Sequence, residues 1–94
     1  MGKIQKFERA AKVLRVVAHP VRISIIRLLS KEAGVTVTAM QSRLGTTQSM
    51  MSQHLAALKA VGLVACRKQA NECHYYLLNK NVLKLLDCVD HCTG

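Results

Sequence analysis

The chain has 94 residues, half of them apolar, but no Trp, one Phe and two Tyr, so it is expected to form one domain with a core of Leu, Val, Ile, Ala and Met. Its 14 Lys and Arg against 5 acids give a formal charge of +9, which favours a polyanionic partner, nucleic acid ahead of a membrane surface. A charged first stretch excludes a signal-peptide core, no apolar run approaches the roughly 20 residues of a membrane span, and none of the four cysteines forms a Cys-x-x-Cys pair, so the expectation is a cytoplasmic protein with free thiols.

Lys3 to Ala18 reads as a first helix, with Ile4, Phe7, Ala11, Leu14 and Ala18 along one side and Lys6, Arg9, Lys12 and Arg15 largely elsewhere. His19-Pro20 breaks the chain, and proline suits the first position of a second helix over Pro20–Lys31, since its missing N–H would be unpaired there anyway. Val21, Ile25, Leu28 and Leu29, helped by Ile26, form its apolar stripe, and Gly34 supplies the stop. A short third helix is expected within Val35–Gly45, opened by a capping box from Thr38 to Gln41 and followed by a turn at Gly45.

Thr46 to Val64, TTQSMMSQHLAALKAVGLV, has the best-marked ends in the chain. Thr46 or Thr47 can cap its start, and Gly62 most easily takes the left-handed conformation just past its end. Met51, Leu55, Leu58 and Val61 make one apolar stripe. The other face carries Gln48, Ser49, Ser52, Gln53 and Lys59, without an acid. Amides and short hydroxyls on such a face suit a DNA major groove, where amides pair with adenine and hydroxyls reach bases or phosphates. A plain solvated face would look the same.

Leu63–Cys66 and Cys73–Leu78 read as two strands around a polar turn, a hairpin whose Arg67, Lys68 and His74 can reach phosphates or a minor groove. Tyr75 and Tyr76 must point to opposite sheet faces. Cys66 and Cys73 flank the turn; their separation depends on a register the sequence leaves open, and two small strand residues is the plainer reading. A last helix is expected over Asn79–Cys92, with Asn79 as cap and Val82, Leu85, Leu86 and Val89 as a stripe suited to a second subunit. Asp87, Cys88, Asp90, His91 and Cys92 crowd its end. Asp87 with His91, and Cys88 with Cys92, are i,i+4 pairs that share a face, and zinc or another transition metal is the cofactor such ligands suit. Nearby acids and the helix C-terminus would raise the thiol pKa values, which counts against high reactivity, and a polar C-terminus with incidental cysteines is the bland alternative.

Ser49, Ser52, His54, Leu55, Leu58 and Gly62-Leu63-Val64 resemble, in register, the recognition-helix signature of the bacterial ArsR/SmtB repressors. His19-Pro20, Arg22, Leu28 and Leu29 resemble that family's second-helix signature, and the similarity runs from about Val13 to Leu78. The resemblance implies a mostly α winged helix-turn-helix of about five helices with a two-stranded wing. It implies a single DNA-binding domain over 1–94, a homodimer formed through residues 3–18 and 80–92, and a transcriptional repressor rather than an enzyme. Its partner would be double-stranded DNA with an inverted-repeat operator. Thr47, Gln48, Ser49, Ser52 and Gln53 would contact bases or phosphates, Arg67 and Lys68 would grip the backbone, and His54 would either join them or be a packing residue. The family's Cys-x-Cys metal motif is missing from the third helix, where Ala39 to Arg43 contains no cysteine, which argues against an arsenic, cadmium or lead thiolate sensor. The second helix also lacks a cysteine to pair with one in the last. What remains is a Cys88/Cys92 thiol switch, a cross-subunit bridge, or a metal site at Asp87 and His91 peculiar to this protein. A winged helix used for protein or RNA contacts, without an inducer site, is the alternative from another class.

Overall fold

Capping side chains set most of the helix boundaries in the computed structural model, which describes residues 2–93; the side chains of residues 2, 3 and 6 lie outside the described part. Helix α1 spans Gly2–Val17 and α2 spans Pro20–Lys31. Between them His19 sits in extended backbone (φ −155°, ψ 129°), and its Nδ1 accepts the Val21 N–H at 3.2 Å, so histidine and proline together start α2. Strand β1 is only Val35–Thr36, and α3 follows at once as Val37–Leu44. The expected capping box at Thr38 is therefore replaced by Thr36, whose Oγ1 accepts the Ala39 N–H at 3.2 Å. The helix thus begins earlier than that box implied, directly after Val35 and Thr36, which pair with a distant strand.

Helix α4 spans Gln48–Ala60; strands β2, Val64–Gln69, and β3, Glu72–Leu77, form the wing; and α5 spans Asn81–Thr93. Asn79 stands two residues ahead of α5, its Oδ1 accepting the Asn81 N–H at 2.9 Å. The strands run further towards the turn than expected, because Ala70 and Asn71 alone make it, with φ of 50° and 68°. Positive φ at both central residues is the two-residue turn whose twist matches that of the strands. The sheet has three antiparallel strands in the order β1-β3-β2, with Val35 opposite Tyr75 and Cys66 opposite Tyr75 on the other side. Gly34 precedes β1 with φ of 75°, and a Cβ there would lie 2.9 Å from the Tyr76 hydroxyl, so both backbone and packing demand glycine.

Helices α2, α3 and α4 and strand β2 converge on one core. Ile25, Ile26, Met40, Met51, Leu55, Leu58 and Val64 are almost wholly removed from solvent, and Val17, Val82 and Leu86 bring α1 and α5 against them. Val61, expected in the same stripe, is only half-buried at the end of α4. Among the described residues nothing covers the outer stripe of the terminal helices: Ile4, Phe7 and Leu14 on α1, and Leu85 and Val89 on α5, are exposed. Among the described residues no helix is long and apolar enough to cross a membrane.

Candidate nucleic-acid interface

Gly45 ends α3 in the left-handed conformation (φ 67°), its N–H donating to the Gln41 carbonyl at 3.0 Å. Two residues later Thr47 starts α4, its Oγ1 accepting the Met50 N–H at 3.1 Å. This tight turn holds α4 by its inner face, where Met51, His54, Leu55 and Leu58 are buried. Helical geometry then forces Thr47, Gln48, Ser49, Ser52 and Gln53 outward, and all five are exposed. Met50 joins them with 46% exposure. It falls outside the apolar stripe of α4, and its position between Ser49 and the buried Met51 puts it on the outer face. An apolar side chain there can meet a thymine methyl.

The wing contributes Arg67 and Lys68, both exposed but on opposite faces of β2, since side chains alternate along a strand. Arg67 lies over the Tyr76 ring at 5.1 Å, which braces the guanidinium while leaving its N–H groups free to meet phosphate. His74 is tied down instead: its Nδ1–H donates to the Gly34 carbonyl at 3.1 Å. An open cleft of about 210 Å³ separates the wing tip from the starts of α3 and α4, lined by Thr36, Thr38, Gln48, Asn71 and Cys73 among others.

His54 does not lie on this outer face. It is 4% exposed, packed beneath α4 against the His19 ring with centroids 4.5 Å apart. Arg22 Nε donates to its Nδ1 at 3.1 Å, while Arg22 Nη1 donates to the Val16 carbonyl at 3.1 Å. One guanidinium thus fastens the end of α1 and the underside of α4 to α2. Accepting at Nδ1 makes His54 a neutral ring with its proton on Nε2, which is buried without a hydrogen-bond partner among the described residues. Burial, with His19 and Arg22 nearby, pushes the His54 pKa down. On acidification the unfolded chain therefore takes up this proton before the folded one does. The contribution is complete above the ordinary histidine value of about 6.5 and is lost as pH falls below it towards the folded value. The urea midpoint should accordingly drop between about pH 7.5 and pH 5.5, and His54→Gln, which keeps an acceptor for Arg22 but cannot titrate, should flatten that slope. An unchanged slope in the variant would remove His54 from the pH response.

At the far end of the molecule, Arg27 of α2 donates to Asp87 at 2.9 Å and to Asp90 at 2.8 Å, and the two carboxylates, Asp87 first, hold its pKa up. Asp87, expected beside His91 as a metal ligand, is thereby an ion-pair residue that ties α5 to α2. Among the described residues no three metal-binding side chains come together, and Cys88 and Cys92 are free, exposed thiols.

A helix-turn-helix domain family matches residues 17–67, from the end of α1 to the wing. The nodulation protein NolR of Rhizobium meliloti is 36% identical over 92 residues, covering 98% of this chain and 75% of that protein. The crystal structure of NolR from Sinorhizobium fredii superposes with a TM-score of 0.89 at 34% identity, covering 99% of this chain and 92% of the other. The chain belongs to the ArsR/SmtB family of winged helix-turn-helix transcription regulators. A homodimeric winged helix-turn-helix DNA-binding domain from Mycobacterium bovis, solved by NMR, matches with a TM-score of 0.82 at 27% identity over 96% of this chain and 82% of that one. Within this family frame α3 and α4 are the helix-turn-helix pair and β2–β3 the wing, and β1 makes the wing sheet three-stranded where two strands were expected.

Proposed function

We propose that the protein binds an inverted-repeat operator in double-stranded DNA as a homodimer and represses transcription from it, with release by a thiol-directed or metal signal. The observation that carries this reading is the acid-free outer face of α4, Gln48, Ser49, Ser52 and Gln53, held out by a buried inner face. Repression needs nothing beyond occupancy of a promoter. The exposed apolar stripe of α1 and α5 supports dimerisation through those helices, and a twofold dimer would set two recognition helices on half-sites about 34–36 Å apart or a multiple of it. A signal received on α5, beside Cys88, Cys92 and His91, would reach the DNA-binding half through the Arg27 ion pairs by favouring a dimer geometry that fits the groove less well.

The test is binding of the reduced protein to DNA from upstream of its own gene. Ser52→Ala with Gln53→Ala should relax the preference for the cognate site by about 1–3 kcal/mol per lost good contact. Competition between cognate and scrambled duplexes measures this, and an unaltered preference would reject the assigned face. Separately, neutralising Arg67 and Lys68 should lower the salt slope of log K by up to about 2, close to one unit per phosphate contact. A slope that stays put would take the wing out of the interface. Equal affinity for RNA and for a palindromic duplex would favour the RNA-binding alternative.

A further inference from the structure

The two-residue turn settles the register that places Cys66 relative to Cys73. Gln69 faces Glu72, Lys68 faces Cys73, and Cys66 faces Tyr75. Residues two apart on a strand share a face, so Cys66 and Cys73 are diagonal neighbours on one face of the wing, in company with Lys68 and Tyr75. The pair flanking a two-residue turn is hydrogen-bonded, and pair types alternate along the ladder, which puts both cysteines at non-hydrogen-bonded positions, where facing side chains approach more closely. Both thiols are free and half-buried. The Cys66 thiol beside it, with burial, holds the Cys73 pKa up against the smaller opposing pull of Lys68 and Lys59.

We propose that Cys66 and Cys73 form a two-thiolate site for a soft, two-coordinate cation of the copper(I) class on the wing. The geometry disfavours the other common fate of a cysteine pair. Diagonal neighbours have Cα atoms about 7–8 Å apart. That is at or beyond the roughly 7 Å limit for a disulfide, so an S–S bond would require the strands to shift. A cation lying between two thiolates holds their sulfurs further apart than an S–S bond does and asks for no such shift. Zinc needs four ligands, and no third His, Cys, Asp or Glu joins this pair among the described residues. Thiolates select soft ions, and copper(I) accepts sulfur ligands readily. On binding, two thiols release two protons and take up one monovalent ion. The site then carries one negative charge, facing the ammonium groups of Lys68 and Lys59, the two lysines already felt by Cys73. Cys73 also lines the open cleft beside Gln48 and Asn71, which gives the ion a route in. The site is separate from Cys88 and Cys92 and does not depend on the DNA-binding reading.

The experiment titrates copper(I), under anaerobic conditions and against a chromophoric copper(I) chelator, into the full chain carrying Cys88→Ser and Cys92→Ser. The expected result is one chelator-resistant ion per chain, with affinity lowered about 100-fold or more when Cys66→Ser or Cys73→Ser is added, as befits losing one of two tethered ligands. Circular dichroism checks that these variants fold. Should they not, alkylation of the natural chain decides: copper(I) is expected to protect Cys66 and Cys73 from iodoacetamide, read by mass spectrometry. No retained ion, retention indifferent to Cys66 and Cys73, zinc held as tightly as copper(I), or no protection would each overturn the proposal.

Discussion

Leu14→Asp combined with Val89→Asp should yield a folded monomer whose affinity for a two-half-site operator is about 10²–10⁴-fold lower, the range over which linking two binding modules raises avidity. Each residue is 49% exposed in the protomer, so neither aspartate enters the core. They nonetheless fall within one apolar surface. Leu14, Val17, Ala18, Ile23, Leu85, Leu86 and Val89 line a groove of about 220 Å³ between α1, α2 and α5, and Phe7 continues the stripe with 67% exposure. Covering such a surface with its copy contributes roughly 25 cal/mol for each Å² of apolar area removed from water. A pair of carboxylates buried without partners would reverse that gain. Light scattering reports the mass, and titration with single and double half-sites separates the effects: the single half-site should bind as before. A variant that keeps the dimer mass would place the interface elsewhere.

Leu55→Ala should cost about 2–5 kcal/mol, the usual range for emptying a fully buried leucine site. Leu55 has no measurable exposure and lies on the inner face of α4 with Met51, His54 and Leu58, in the same core as Ile25, Met40 and Val64. A domain of this size has roughly 5–15 kcal/mol in total. The loss would therefore also lower the midpoint by about 4–8 °C per kcal/mol in thermal melts. Urea melts at one fixed protein concentration give the comparison, because dimerisation adds to apparent stability. The consequence reaches function, since the outer face of α4 is only as well placed as its inner face is packed. A cost below about 1 kcal/mol would mean that the site collapses onto the cavity and that α4 is less rigidly seated than its burial implies.

Features governed by neighbouring residues were legible in the sequence. Pro20 after His19, Thr47 before Gln48, and Gly62 past the end of α4 mark helix ends because a cap or a left-handed residue acts within three or four positions. The outward set Gln48, Ser49, Ser52 and Gln53 follows from the same short-range periodicity. Features settled by distant partners were not legible. Nothing near Val35 and Thr36 in the chain marks a strand; Tyr75 and His74 pair with them from about forty residues away. Whether His54 joins the outer face or packs beneath it stays open until Arg22 is seen to satisfy its Nδ1 from 32 positions away. Asp87 reads as a metal ligand together with His91 until Arg27 takes it, 60 positions away in the chain. The register of Cys66 and Cys73 waited on the turn length, which the six polar or small residues between Cys66 and Cys73 do not specify.

With the order β1-β3-β2, the long strand β2 is left at the rim of the sheet, its backbone groups on one side open to another chain. A rim like this is a template for runaway self-assembly. Here it carries consecutive cations, Arg67 and Lys68, both exposed. Two copies brought rim to rim would set like charges against each other, which works against strand addition. The residues assigned to phosphate would thus also act as gatekeepers against fibril-like stacking, and a neutralised wing would be expected to keep poorly at high concentration even where its fold is intact.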